Sequence, residues 1–343
     1  MASRITSGVN EVGNVIVSLW QKYAPGAALT SVLAGTAGLL AARYGAPAML
    51  MGLLLGMAFH FMSEESTRLH LGLELMAGPA LRVGVALLGV RLALTDLAQL
   101  GWEPILFLMC AVLLTIASGM LGSRLLGVER RVGVLTGGSV AICGASAAMA
   151  IAAVLPASAE KQRATLFTVM GVASFSTVAM IFYPLLGEWL QLEEQAMGFF
   201  IGATIHDVAQ VVGAGYSVSE EAGDLAVMVK LFRVAMLVPV VALIAFLVSR
   251  NGSSSATRSR LPAVPLFLLG FLVFFGANTA GFLPQALVNL LSNAASVLLL
   301  LAITALGLRT SLREVLTIGL RPVVLLLGET VFLAVLVLGF IFW

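Results

Sequence analysis

Apolar residues run in eleven stretches long enough for about 30 Å of hydrocarbon, near 25–43, 46–62, 71–93, 102–122, 133–155, 162–186, 195–216, 222–249, 263–281, 286–308 and 317–342. Each predicts a transmembrane helix, so the pattern reads as an all-α polytopic membrane protein. Polar positions collect in the short gaps. The longest polar insert, NGSSSATRSR from Asn251 to Arg260, predicts a flexible linker over 250–262 and is too short for a second domain. Met1 to Gln21 carries a mild amphipathic pattern with no hydrophobic signal core and no small-residue cleavage site. It predicts a short surface helix within a segment 1–24 that precedes an extra first span at 25–45.

Composition narrows the class. Sixty per cent hydrophobic and 10% charged residues over 343 positions, with a mean hydropathy of +1.05, fit no ordinary soluble globule. The bilayer is therefore the first partner. Net charge is only +2 and the basic residues are scattered, so nothing tracks a phosphate backbone and nucleic acid is not expected. No Walker-type loop occurs, so uphill transport would need an ion gradient or a partner subunit. Cys110 and Cys143 lie in apolar stretches, where thiols usually pack. An intramembrane enzyme or receptor would rest only on His206, Asp207 and Cys143 sharing one membrane domain. Neither a nucleophile–base spacing nor a metal-ligand pattern supports it, so no catalytic or metal site is expected.

Loop charges set an orientation. With eleven spans the termini lie on opposite sides. The N-terminal side gathers Arg4, Lys22, Arg68, Arg124, Arg130, Arg131, Arg250, Arg258, Arg260, Arg309, Arg313 and Arg321, whereas the other has only Arg43, Arg91, Lys161 and Arg163 beside the acids Glu220, Glu221 and Asp224. The positive-inside rule then puts the N-terminus in the cytoplasm and the C-terminus outside.

Leu88-Gly89-Val90-Arg91-Leu92-Ala93-Leu94 recurs as Leu306-Gly307-Leu308-Arg309-Thr310-Ser311-Leu312, with Gly101 and Pro104 matched by Gly319 and Pro322. These copies end spans an odd number of crossings apart, the mark of an inverted repeat. A second spacing aligns Gly52 with Gly202 and Ala145-Ser146 with Ala295-Ser296, dividing the chain into five-helix repeats at 46–190 and 191–343. Chance recurrence in so biased a composition is the competing explanation, especially for the second spacing.

Candidate chemistry lies in three places. Span five contains the small-residue run Gly137 to Ser146, and its counterpart in span ten is Ser292 to Ser296. Such runs either let helices pack closely or break a helix and expose N–H groups that attract anions. The run Gly202 to Gln210, GATIHDVAQ, puts His206 and Asp207 inside a crossing, where ionisable groups are costly and mark pathways or interhelical pairs. Arg82, Lys230 and Arg233 are the basic residues left within spans, and Glu74, Asp207 and Glu329 the acids. Lys230 and Arg233 share a helix face, so an acid or an anion should lie between them unless they reach an interface.

The stretches Leu81 to Arg91, Gly137 to Ala147, Gly202 to Gln210 and Lys230 to Arg233, taken in order, resemble the YeiH-like sulfate exporter family of bacterial inner-membrane proteins. That family looks related to the cation-antiporter and bile-acid-transporter group. The resemblance implies an inner (plasma) membrane location, a panel of helices beside a core with two crossed, broken helices, and export of sulfate or a related oxyanion. No residue here reads sulfur.

The expectation is a secondary transporter that moves a sulfate- or sulfite-like anion by alternating access, with spans five and ten as the broken pair. Ser139, Cys143, Gly144, Ser146, Asn293 and Ser296 would line the anion site, and Arg82, Lys230 and Arg233 would supply positive charge. His206, Asp207 and Gln210 would handle a coupling H+ or Na+, since an unperturbed histidine titrates at about 6.5. No other cofactor is expected. The alternative is a cation/proton antiporter of the same fold group with Asp207 as the ion-binding carboxylate. Small-residue faces permit a homodimer without requiring one.

Overall fold

The computed structural model describes residues 2–44, 47–92, 101–156, 159–250, 265–309 and 320–343. Among the described residues all regular structure is helical. Seven helices among the described residues are long and apolar enough to cross a membrane: Gln21–Tyr44, Thr67–Val90, Trp102–Leu125, Arg163–Trp189, Glu220–Val248, Gln285–Arg309 and Pro322–Ile341. Helix length alone thus accounts for seven of the eleven expected spans, and the other four correspond to shorter helices. Leu113, Leu121, Phe182 and Val335 are among the large apolar side chains left exposed on these helices, a surface suited to lipid. Two compact units emerge, Met1–Val85 with Asn293–Ser311, and Ala86–Ser292 with Leu312–Trp343.

The first unit holds α1 (Ala2–Tyr44), α2 (Ala48–Ala58), α3 (His60–Glu65) and α4 (Thr67–Leu75). The first helix is continuous, so the expected surface helix and the first span are one element. A π turn at Met76–Ala80, which contains Pro79, carries α4 into α5 (Leu81–Leu87). The widened turn absorbs the proline's missing N–H. Gly26 and Gly72 let α1 and α4 meet backbone to backbone, because a Cβ on either would strike the other helix. Leu33, Leu73, Ala305 and Leu308 form the core, and the Leu308 carbonyl accepts from Ser63 Oγ at 2.6 Å.

The second unit holds α6 (Trp102–Leu125), α7 (Arg130–Ala141), α8 (Ala145–Val154), α9 (Ala159–Trp189), α10 (Glu194–Thr204), α11 (Val208–Val218), α12 (Glu220–Ala235), α13 (Leu237–Arg250), α14 (Leu266–Thr279) and α16 (Leu320–Ile341). Helix α15 (Gln285–Arg309) begins in this unit and ends in the first. Gly119 on α6 faces Gly133 and Gly137 on α7, and Gly198 and Gly202 on α10 face Ala222 and Ala226 on α12. Phe107, Phe199 and Phe340 join α6, α10 and α16, with Phe107 and Phe340 stacked at 4.1 Å.

Two helices are interrupted. The first break lies between α7 and α8 at Ile142, Cys143 and Gly144. Gly144 has φ 64° and its N–H bonds the Ser139 carbonyl at 2.8 Å, a glycine termination of a helix end. The second lies between α10 and α11, where Ile205 and Asp207 are extended (ψ 139° and 147°). The expected second break in span ten is corrected: α15 runs unbroken through Ser292 to Ser296. Alanine favours helix, the run has no glycine, and Ser292 Oγ accepts from Arg91 Nε at 2.7 Å while its residue stays helical. The alignment of Ala145-Ser146 with Ala295-Ser296 therefore pairs a break with an intact helix. The 250–262 linker and residues Ala93, Leu94, Thr310, Ser311, Leu312, Arg313 and Gly319 of the repeat and charge patterns lie outside the described residues, apart from Arg250.

Gly198→Ala and Gly276→Ala add the same methyl group in different surroundings. At Gly198 the new Cβ would sit 2.7 Å from the Ala222 carbonyl oxygen, whereas at Gly276 nothing lies within 4 Å. Thermal unfolding in detergent should show Gly198→Ala destabilised by about 1–3 kcal/mol, an overpacking cost, and Gly276→Ala unchanged or slightly stabilised.

Candidate functional site

Both breaks free backbone carbonyls among buried residues. Helix α12 answers them. Lys230 and Arg233 stand three residues apart on one face, and both are fully buried. Lys230 Nζ donates to the carbonyls of Ile142 (2.6 Å) and Ile205 (2.9 Å). Arg233 donates from Nε to Ala141 (2.9 Å), from Nη2 to Val140 (2.7 Å), and from Nη1 to Gly202 (3.0 Å) and Ile205 (3.1 Å). Each cation therefore touches both broken helices. The carbonyl ends of α7 and α10 carry partial negative charge, which the two cations neutralise.

The breaks also meet directly. A Cβ on Gly144 would lie 3.6 Å from His206 Cβ and 3.6 Å from Val172 of α9, ordinary contact for an atom that is not there. His206 is fully buried, and its Nε2 is 3.0 Å from Thr330 Oγ1 on α16. Thr330 gives its single hydroxyl proton to the Leu326 carbonyl at 2.8 Å. The threonine oxygen is thereby open to accept from His206 Nε2 in the tautomer that carries its proton there. Nδ1 is buried without a hydrogen-bond partner. Asp207 is the N-cap residue of α11, half-buried, and its backbone N–H donates to Ser176 Oγ at 3.0 Å. Gln210, one turn on, reaches Thr177 Oγ1 at only 3.5 Å, and its Oε1 is buried without a partner.

Of the residues expected to act together, the structure gathers Cys143, Gly144, His206, Asp207, Gln210, Lys230 and Arg233 around the two breaks. Ser139 lies just before the first break and is buried, but its hydroxyl bonds the Leu135 carbonyl of its own helix at 2.5 Å. Ser146 is exposed in the first turn of α8. Arg82, Asn293 and Ser296 belong to the first unit, with Arg82 and Asn293 exposed. The role given to Lys230 and Arg233 changes most. Between them lie backbone carbonyls, where the sequence reading expected an acid or an anion.

Sequence reasoning missed Ser176, Thr177 and Thr330, which hold the second break from neighbouring helices. Hydroxyls in membrane helices commonly bond their own preceding turn, as Thr177 also does with Ala173, so they carried no signal. It also passed over Arg91, half-buried, which bonds Ser292 and lies 3.7 Å from Asp224, itself a partner of Tyr216. Cys143 is a free, buried thiol. Among the described residues no three His, Cys, Asp or Glu side chains converge to hold a metal.

If the cations hold the breaks, removing them should loosen the fold in proportion to the bonds lost. Arg233→Met should cost on the order of 3 kcal/mol or more, since hydrogen bonds to charged groups contribute about 1.5–3 kcal/mol each, and Lys230→Met should cost less. Thermal unfolding of the two variants in one detergent checks the order.

The family model described as conserved hypothetical protein 698 matches residues 25–326. A UPF0324 membrane protein of Rhizobium meliloti is 50% identical over 320 residues, 92% of this chain and 92% of the relative. One from Chlorobaculum tepidum is 46% identical over 324 residues, covering 94% of this chain and 90% of the relative. The UPF0324 membrane protein TauZ of Paracoccus pantotrophus is 46% identical over 314 residues, covering 91% and 93%. No solved structure matches the chain. On these matches the chain belongs to the UPF0324 family of membrane proteins.

Proposed function

We propose that the protein is a secondary transporter that carries a small anion across the bacterial inner membrane by alternating access around the two breaks. The observation that carries this reading is the meeting of two interrupted helices, at Gly144 and His206, over a pair of buried cations. Discontinuous helices in a membrane domain place backbone ends where substrates bind, and irregular backbone survives there only against protein or a cavity. Helices α7, α8, α10 and α11 contain 12, 10, 11 and 11 residues, so at roughly 1.5 Å per residue each spans about half the hydrocarbon thickness. The breaks then fall near the midplane.

Charge favours an anion. A helix end carries roughly half an elementary charge, so the carbonyl ends of α7 and α10 cancel the amide ends of α8 and α11. Lys230 and Arg233 contribute two positive charges and Asp207 one negative. About one positive charge remains, which repels a cation and attracts an oxyanion. The first-turn amides of α8 beside Ser146, and those of α11 before Gln210, are the donors that would receive it. His206 and Asp207 would carry the coupling proton, with Na+ as the alternative coupling ion. The resemblance to the YeiH-like sulfate exporters makes sulfate and sulfite the first anions to try. The second reading, a cation/proton antiporter, draws support from the in-span carboxylates Asp207 and Glu329.

Purified protein in proteoliposomes, given labelled sulfate or sulfite with and without a pH gradient, decides between them. Saturable, gradient-sensitive flux that Asp207→Asn lowers at least tenfold is the expected outcome. Cation-dependent proton movement without anion flux would replace the anion carrier by the antiporter. Gradient-driven flux that survives both His206→Ala and Asp207→Asn would remove the coupling role from these two residues.

A further inference from the structure

Glu329, in the middle of α16, is only 2% exposed. Its Oε1 lies 2.7 Å from Thr136 Oγ1 on α7, and its Oε2 is buried with no hydrogen-bond partner. Gly119 of α6 closes over the carboxyl, since a Cβ there would sit 2.6 Å from Oε1.

No ion pair with Glu329 occurs among the described residues. The helices packed against α16 are α6, α7, α9 and α10. Among the described side chains, their charged and titratable groups are Glu103, Cys110 and Arg124 on α6, Arg130 and Arg131 on α7, Lys161, Arg163, Tyr183 and Glu188 on α9, and Glu194 on α10. Several are committed elsewhere: Arg130 to Met120, Arg131 to Glu129, Lys161 to the Ala152 and Leu155 carbonyls, and Glu194 to Ser219. None bonds Glu329.

An ionised carboxylate with one bare oxygen in such a place is far costlier than the neutral acid, whose bare oxygen is only a carbonyl. The proton inventory agrees. Thr136 Oγ1 also lies 3.0 Å from the Val132 carbonyl and has one hydrogen to give. If that hydrogen goes to Val132, the threonine oxygen is free to accept from a protonated carboxyl.

We propose that Glu329 is a proton-binding site in the membrane core, closed in this conformation, with the acid O–H donating to Thr136 Oγ1. On release the O–H bond breaks heterolytically and the proton passes to water, which must first enter between α7 and α16. Because Thr330, the next residue, holds His206, the same turn of α16 touches the helix before the first break and the histidine of the second. The site lies apart from His206 and Asp207 and stands whether or not the transported ion is an anion.

Infrared spectroscopy of the full-length protein in lipid, titrated through neutral pH, reads the proton directly and needs no substrate. A carboxylic-acid C=O band should persist at neutral pH, vanish in Glu329→Gln and move to higher frequency in Thr136→Val, where the hydrogen bond is lost. A wild-type spectrum without such a band, or one whose band neither variant alters, overturns the proposal. Should Glu329→Gln fail to fold, Thr136→Val decides it alone. A normal spectrum in a protein without flux would leave this site standing and fail only the transport reading.

Discussion

A helix that ends inside an apolar interior leaves carbonyl oxygens that only a donor from elsewhere can satisfy, and in this chain one pair of side chains does so for two helices. Lys230 and Arg233 reach five carbonyls on α7, α10 and the residues capping them. Placing two like charges three residues apart on a buried face would ordinarily be unfavourable. Here the partial negative charge of two helix ends lies against them, and the planar guanidinium donates in several directions where an ammonium could not. The cations and the breaks are therefore mutually dependent. Without the breaks the cations would lie unpaired in a dry interior, and without the cations the carbonyls would.

The remaining contacts around the breaks come from helices that carry no charge to the site. Ser176 of α9 caps the Asp207 amide, Thr330 of α16 fixes the His206 ring, and Gly144 takes the positive φ of the first break. Helix α16 is tied to both interrupted helices, through Glu329 to Thr136 and through Thr330 to His206. These are hydroxyl and carboxyl contacts within close-packed small residues, a packing driven by backbone approach because lipid supplies no hydrophobic force between helices.

Much of this was legible in the sequence because charge is rare in such a chain. Of the six in-span charges, Asp207, Lys230, Arg233 and Glu329 fall in the second unit while Glu74 and Arg82 fall in the first, and the glycine run before Ser146 contains the first break. What sequence could not give was the partner of each group. The second break was sought at Ser292 to Ser296 because small residues recur there, yet Ser and Ala keep a helix intact when its carbonyls remain paired within it. It lies at Ile205 to Asp207, three residues that themselves include no glycine. That break is stable because Arg233 and Lys230 arrive from a later helix, a tertiary fact with no local signature. Arg82 looked equivalent to Lys230 by composition, but it is exposed on the first unit.

The use of the cations on backbone also changes how an anion would be recognised. Of the five donors on Arg233 and three on Lys230, the observed bonds take four and two, so each cation has little left for direct contact. An oxyanion at the breaks would be bound by the amide ends of α8 and α11, with the cations acting at one remove through their charge. Such a site attracts by field and selects by the spacing of backbone donors, which does not vary with side-chain rotamers. It would also respond to any movement of α7 or α10, since the same two side chains hold both. A change at either break would thereby alter the electrostatics of the other, which is the coupling the proposed alternating-access cycle would need.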